Sequence, residues 1–292
     1  MNKEFNKGLL LAGFGSFWWG FLGVLYFKYI TFIGHIELVV HRCLWTTFTL
    51  IITTFLFSKW HIFFEIARNK KYLVYLFFSG FLIFVNWSVW IYAIATNRII
   101  DASFGYFMMP ILSVMLGYIF FNEKLNSKRI FSIVLVVISI LYLILISFKS
   151  LPWVGIIVAL SWGFYNLIRK KINIDTDIGL LIESLYILPF ALITFYLITK
   201  NGHNDFQLSN PPMMLFILLA GPMTVIPLFL YVRGVELCGL GPTGMIFYIT
   251  PSLQFLLGYF YYDESFTITK LVSFIIIWIA VIIYLKDLYE TN

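Results

Sequence analysis

Long apolar segments follow one another along almost the whole chain, and they constrain the fold more than any other feature. A transmembrane helix needs about 20 largely apolar residues, because a rise of 1.5 Å per residue must cross about 30 Å of hydrocarbon. The predicted segments are residues 8–28, 36–57, 72–95, 102–121, 130–148, 152–169, 178–199, 213–236, 242–262 and 267–285. The sequence therefore predicts an all-α polytopic membrane protein with ten transmembrane helices.

The composition excludes a water-soluble enzyme and a nucleic-acid partner. Of the 292 residues, 61% are hydrophobic and 12% are charged, and the mean hydropathy is +0.92. This apolar surplus exceeds what one soluble core can bury. The formal net charge is +6, but the Lys and Arg residues stand in short clusters between apolar segments, where membrane topology accounts for them. The first segment is longer than a signal-peptide core and lacks a cleavage pattern, so we expect a retained helix.

The distribution of positive charge predicts the orientation, since Lys and Arg are retained on the cytoplasmic side during insertion. With the N-terminus inside, fourteen of the twenty Lys and Arg residues fall in inner segments and five in outer segments. The remaining one, Arg42, lies within a span. We therefore expect both termini to be cytoplasmic.

The chain contains an internal repeat. Residues 110–123 match residues 251–264 at an offset of 141, with six identities. The repeat predicts a first half over residues 1–149 and a second half over residues 150–292, with five spans each. Because five is odd, the second half enters the membrane from the opposite side and produces an inverted repeat. Inverted halves favour an inward-open and an outward-open arrangement of similar energy, which is the basis of alternating access. We prefer this interpretation to a duplication that only enlarged a bundle.

Four strongly polar groups lie within predicted spans: Arg42, Asn86, Asn166 and Glu183. A charge at the centre of a bilayer costs at least ~2.5 to 3.5 kcal/mol unless it is paired or hydrated. We expect Arg42 and Glu183 to line a polar cavity. The alternatives are that Arg42 extends to the outer headgroups and that Glu183 is hydrogen-bonded near the inner interface. Asn86 either faces the cavity or joins two helices.

Aromatic side chains inside the spans complete the predicted substrate site. They accompany the four polar residues on both halves and are Trp90, Tyr106, Tyr165, Tyr186 and Tyr248. Many aromatic residues of membrane proteins belong instead to interfacial belts. A cavity with rings, one guanidinium and one carboxylate suits a zwitterion or an amphipathic organic molecule rather than a bare inorganic ion.

Three prolines inside predicted spans are candidate hinges: Pro110, Pro227 and Pro251. Each frees a backbone carbonyl that needs another partner, which favours a hydrated cavity, although a purely structural kink is an equal alternative.

Segments 130–148 and 267–285 are aliphatic all round, so they predict a lipid-facing or a homodimer surface. No His or Cys spacing typical of a metal site occurs, and we predict no metal and no cofactor.

These features favour a secondary transporter for a small organic solute over an enzyme. The chain has no Gly-x-x-x-x-Gly-Lys-Ser/Thr motif, so a gradient must supply any driving force. Glu183 is the candidate for proton coupling, because a low dielectric raises a carboxyl pKa toward the working range. The alternatives are an intramembrane enzyme, which lacks a His/Asp/Cys cluster here, and a channel without alternating access.

Several strings resemble the RarD-type branch of the EamA permeases, in the drug/metabolite transporter superfamily. They occur in family order over nearly the whole chain: Glu37-Leu-Val-Val-His41-Arg42, Asn86-Trp87, Ala102-Ser-Phe-Gly-Tyr-Phe107 before Pro110, Phe164-Tyr-Asn-Leu-Ile-Arg-Lys-Lys171, and Ile182-Glu183 with Leu188-Pro189. The resemblance implies ten helices in two inverted EamA repeats and a location in the bacterial inner membrane. It also implies a substrate cavity walled by helices one to four and six to nine.

Overall fold

A computed structural model describes residues 3–96, 99–147, 153–202, 204–207, 210–261 and 268–291, and within these residues all regular structure is helical. The first half contains α1 (Lys3–Trp18), a π-helical segment (Trp19–Gly23), α2 (Val24–Tyr29), α3 (His35–Leu56), α4 (Trp60–Arg68), α5 (Lys70–Ala95), α6 (Ile99–Phe121) and α7 (Ser127–Ser147). The second half contains α8 (Trp153–Ile172), α9 (Thr176–Lys200), α10 (Pro211–Leu218), α11 (Ala220–Cys238), α12 (Leu240–Ile246), α13 (Ile249–Phe260) and α14 (Ile268–Thr291).

Seven helical runs of the described residues are long and apolar enough to cross a membrane. They are Lys3–Tyr29, His35–Leu56, Lys70–Ala95, Ser127–Ile146, Thr176–Lys200, Pro211–Cys238 and Leu271–Glu290. Each coincides with a predicted segment. The other three predicted segments fall on α6, on α8 and on the α12–α13 run. Residues 148, 152, 262 and 267, which end four of the predicted segments, lie outside the described residues.

These three segments depart from an uninterrupted apolar helix for separate reasons. Helix α6, Ile99–Phe121, is 23 residues long but contains Pro110 in its interior. The last turn of α8 carries three cations, Arg169, Lys170 and Lys171. A turn at Phe247 and Tyr248 separates α12 from α13. Hydropathy alone therefore supports seven spans in this part of the chain.

Helices that occupy equivalent places in the two halves contact each other in antiparallel orientation. Between α3 and α9, the Thr47 hydroxyl donates to the Ser184 carbonyl at 3.4 Å, and Lys59 beyond the end of α3 binds Asp175 just before α9 at 3.2 Å. Helices α7 and α14 are also antiparallel, since hydrogen bonds join Ser139 to Ser273 and Asn126 to Asp287. Helix α6 and the α12–α13 run are antiparallel as well, since hydrogen bonds join Phe107 to Tyr248 and Glu123 to Leu240.

The other main contacts are preserved when the two halves are exchanged. Helix α1 packs on α11, and its equivalent α8 packs on α5, the equivalent of α11. Helix α6 packs on α8, and α13 packs on the π-helical segment that continues α1. Helix α3 packs on α11, and α9 packs on α5. This correspondence is the property of a two-fold axis between the halves.

Small residues set the distance between helices at these contacts. Gly20 lies against α13, where an added Cβ would be 3.0 Å from Leu253. Its repeat equivalent Gly163 lies against α6, where an added Cβ would be 2.5 Å from the nearest side-chain atom of Leu112. Small residues allow backbones to approach when lipid provides no hydrophobic drive for helix association.

Gly221 on α11 provides a test of this packing. A Cβ at this position would overlap the Trp45 carbonyl and the Thr49 hydroxyl of α3, so we expect Gly221→Ala to lower stability by about 1 to 3 kcal/mol. Helix propensity alone predicts the opposite sign, since Ala is favoured over Gly within a helix by about 1 kcal/mol. Thermal unfolding of the purified protein in detergent measures the change. Gly34→Ala is the matched control, because a Cβ at Gly34 meets no atom within 4 Å; equal unfolding temperatures for the two variants would contradict the packing.

Candidate substrate-binding cavity

A small cavity lies where the two halves meet around the π-helical segment and α3, α5, α6 and α8. Its lining combines one guanidinium, one amide and five rings: Arg42, Asn86, Trp19, Trp90, Tyr106, Trp162 and Phe247. The water-accessible volume is about 10 Å³, which is enough for about one water molecule. A cavity for an organic solute needs roughly 300 Å³ or more, so this cavity is too small for one in the arrangement seen here.

Rings at equivalent positions of the two halves line this cavity. Trp19 corresponds to Trp162 at an offset of 143, and Tyr106 corresponds to Phe247 at an offset of 141. The Tyr106 and Phe247 rings lie 5.7 Å apart, and the Trp162 and Phe247 rings lie 6.2 Å apart. Both members of each pair line the cavity, so it lies at the pseudo-two-fold axis.

Arg42 lies within an aromatic box. It is 1% exposed, and its guanidinium carbon is 4.9 Å from the ring centre of Trp19, 4.8 Å from Phe27, 4.7 Å from Trp87 and 5.6 Å from Trp90. Rings at these distances attract a cation through their negative faces, with about 0.5 to 2 kcal/mol for each good contact. The box partly compensates the charge without neutralising it.

Most of the hydrogen-bonding capacity of Arg42 is unused. Its Nε donates to the Thr224 hydroxyl at 3.1 Å, whereas both terminal nitrogens are buried without a hydrogen-bond partner. No ion pair to Arg42 occurs among the described residues, and the buried carboxylates of Glu183 and Glu236 bind Arg169 instead. A buried cation without an anion is costly, and the two terminal nitrogens of Arg42 are therefore candidate donors to a ligand.

Asn86 borders the cavity but already joins two helices. Its Nδ2 donates to the Val158 carbonyl at 3.0 Å and to the Ser161 hydroxyl at 3.1 Å. The amide therefore connects α5 to α8. Asn86 thus both borders the cavity and joins two helices, the two roles that the sequence analysis gave as alternatives.

Glu183 lies in a second, separate cavity. It is 1% exposed and accepts hydrogen bonds from the Ser79 hydroxyl at 2.6 Å and the Tyr165 hydroxyl at 3.2 Å. Trp87 also lines this second cavity while its ring faces Arg42. The structure therefore places Arg42 and Glu183 in two different cavities.

An ion-pair network that the sequence analysis missed surrounds Glu183. Arg169 is 0% exposed. Its Nη1 atom lies 3.5 Å from the Glu183 carboxylate, and its Nη2 atom lies 3.6 Å from the Glu236 carboxylate. The Thr176 hydroxyl donates to Glu236 at 2.7 Å, and Arg233 binds the same carboxylate at 2.9 Å. The topology prediction counts both Arg169 and Arg233 among its fourteen inner cations. The acidic Glu236 one helical turn from Arg233 is the sequence signal that indicates pairing.

The remaining predicted site residues lie at varied distances from the cavity. Tyr165 stacks on Trp162 at 5.6 Å but directs its hydroxyl to Glu183. Asn166 donates to the Trp162 carbonyl of its own helix. Tyr186 packs against Phe77 at the periphery. Tyr248 is buried between α6 and α13, where its hydroxyl donates to the Phe107 carbonyl at 3.0 Å. None of these four lines the cavity.

The three candidate hinges occupy different helical environments. Pro110 lies inside α6 and Pro227 inside α11, and both helices continue through the proline. Pro251 is in the first turn of α13, directly after the break at Phe247 and Tyr248. The π-helical segment beside the cavity was not predicted; such segments often occur at functional sites.

A wide groove of about 1260 Å³ opens at the end of α6, with Lys124, Arg129 and Lys170 among its lining residues. Glu123 in this groove accepts hydrogen bonds from the backbone N–H groups of Leu240 at 2.7 Å and Gly241 at 2.8 Å. Burial raises the pKa of the Glu123 carboxyl, although both N–H groups favour its anion. This carboxylate fixes the start of α12 to the end of α6.

The Arg169 network predicts that Glu236 and Glu290 differ greatly in their contribution to stability. We expect Glu236→Ala to destabilise the protein by about 3 to 5 kcal/mol, because it leaves the buried Arg169 partly unpaired. Glu290→Ala removes the partner of Lys128 at 3.0 Å from an exposed pair and is the control, with an expected cost below about 1 kcal/mol. Thermal unfolding in detergent compares the two, and an equal loss would contradict a buried network.

Comparison with known proteins adds a family to this geometry. A family model described as the EamA-like transporter family matches residues 6–145 and 150–286. A Vibrio cholerae protein named as an uncharacterized transporter is 33% identical over 98% of this chain and 94% of its own length. Protein RarD of Escherichia coli is 30% identical over 99% of this chain and 97% of its own length. A crystal structure of another protein has the same fold, with a TM-score of 0.69. The match covers 94% of this chain and 96% of the other chain, and the two sequences are 12% identical.

Proposed function

Because the chain belongs to the EamA-like transporter family, as a RarD-type permease, we propose that it is a secondary transporter that moves a small organic solute by alternating access. The observation that carries the proposal is the closed cavity at the two-fold axis, walled by equivalent rings of both halves. A site on such an axis can be exposed to either face by movement of one half against the other.

Ten spans are part of this proposal. Helices α6 and α8 and the α12–α13 run join the seven apolar runs, and each packs against equivalents in the other half. The antiparallel contacts of α3 with α9 and of α7 with α14 support inverted halves. With ten spans both termini share one side, and the positive charges favour the cytoplasmic side of a bacterial inner membrane.

The Arg169 network is proposed as the cytoplasmic gate. It connects the end of α8 to α9 and α11 through Glu183 and Glu236, and Ser79 adds α5 through its bond to Glu183. In the proposed orientation these contacts lie between the cavity and the cytoplasm. Opening toward the cytoplasm requires that they separate.

Glu183 is the proposed proton-coupling residue. Protonation removes the negative charge that faces Arg169 and converts an acceptor of the Ser79 and Tyr165 hydroxyls into a neutral acid. The two ends of the network are then held less strongly, which favours the inward-open arrangement. Coupling thus acts through the gate rather than through direct contact with the cavity.

Counterflow in proteoliposomes tests the transport proposal. A thermal-shift screen of the purified protein against a metabolite library identifies a solute, because a bound ligand stabilises the native state by mass action. We expect unlabelled internal solute to drive transient accumulation of labelled external solute. Labelled solute that only equilibrates would indicate a channel and would contradict alternating access.

Glu183→Gln tests the coupling role in the same proteoliposomes. The amide retains hydrogen-bonding capacity but cannot change charge, so we expect loss of proton-driven uptake while counterflow at equal pH persists. Glu290→Gln makes the same chemical change at an exposed position and should keep both activities. Unchanged pH dependence in Glu183→Gln would remove the coupling role.

A further inference from the structure

We propose that the transported solute is an organic monoanion: a carboxylate head on an apolar, ring-bearing body without a cationic group. This inference rests on the proposed transport function and specifies the chemistry that the cavity recognises. It differs from the zwitterion that the sequence suggested, because the structure separates the two charges on which that suggestion depended.

The free donors of Arg42 define the head group. The two terminal nitrogens are buried in a cavity-lining side chain and have no hydrogen-bond partner. Together they can donate two parallel hydrogen bonds to the two oxygens of one carboxylate, the bidentate geometry that guanidinium favours. The Nε atom of Arg42 already donates to Thr224, and the surrounding rings cover the faces of the guanidinium plane. The edge that carries the two terminal nitrogens is therefore what remains for a ligand.

The cavity offers no partner for a cation. Among the described lining residues there is no Asp or Glu. Glu183 lines the second cavity and already accepts from Ser79, Tyr165 and Arg169. The ammonium group of an amino acid would be buried near Arg42 without a counter-charge, which is costly.

The single charge of Arg42 and the aromatic lining of the cavity define the rest of the solute. One guanidinium neutralises one negative charge, so a dianionic phosphate would leave a net charge among the rings. Five of the seven lining residues are aromatic, and stacking surfaces favour an apolar or ring-bearing body. A bare inorganic anion would leave these surfaces without contacts.

Binding titrations with matched compounds test this proposal. The full-length wild-type protein in detergent is titrated with benzoate, 3-phenylpropionate and indole-3-propionate, with the corresponding primary amides, and with phenylalanine and tryptophan. Quenching of tryptophan fluorescence and the shift in Tm are the readouts. We expect at least one carboxylate to bind at least about tenfold more tightly than its amide and its amino acid, a change that corresponds to 1.4 kcal/mol.

Variants at Arg42 assign the effect to this side chain. Arg42→Met should abolish the preference for carboxylates and leave the Tm of the unliganded protein unchanged or higher, because a costly buried charge is removed. Arg42→Lys retains the charge without the fork and should give intermediate affinity. Arg68→Gln removes an exposed guanidinium and should bind like the wild type. A lower unliganded Tm in both Arg42 variants with unchanged carboxylate preference would make Arg42 structural and overturn the proposal.

The remaining outcomes also decide the matter. Preference for amino acids, equal binding of amides, no binding of any carboxylate, or equal competition by sulfate or chloride would each overturn the monoanion proposal. Counterflow of an amino acid by the wild type and by Arg42→Met alike would overturn it while leaving the transport function intact. Carboxylate binding without counterflow of any bound compound would support the site and contradict transport.

Discussion

Close contact between helices at small residues is the interaction on which the rest of the structure depends. Hydrocarbon gives apolar helices no reason to associate, so backbone approach and side-chain interlocking must hold the bundle together. Gly20 against Leu253 and Gly163 against Leu112 repeat one such contact in both halves. Because these contacts join one half to the other, they also position the rings that wall the central cavity.

Arg42 and Glu183 correspond to each other at the repeat offset of 141 and have contrasting surroundings in this framework. Glu183 is saturated by Ser79, Tyr165 and Arg169, as expected for a group that holds helices together. Arg42 has rings on its faces and unused donors at its edge. Equivalent positions of the repeat therefore carry a carboxylate with three partners in one half and a guanidinium with two unpartnered nitrogens in the other, so the two halves are not chemically symmetric at this position.

Hydropathy predicted the helical architecture well where a span is continuous and apolar. It was less informative for α8, whose last turn is cationic, and for the α12–α13 run, which breaks at Phe247. Of the predicted site residues, Arg42, Asn86, Trp90 and Tyr106 line the cavity, whereas Tyr186 and Tyr248 lie elsewhere. A residue's presence in a span gives its depth, but the rotation of its helix decides which neighbour it faces.

The sequence by itself determined the helical class and the internal repeat, because the length and apolar character of each segment and the matching strings are local properties of the chain. Only the tertiary structure decided that Arg42 and Glu183 line different cavities and that Arg169 is buried between two carboxylates. These pairings join residues of different helices. Charge, spacing and hydropathy do not encode which long-range partners meet, since that depends on how all the helices pack at once.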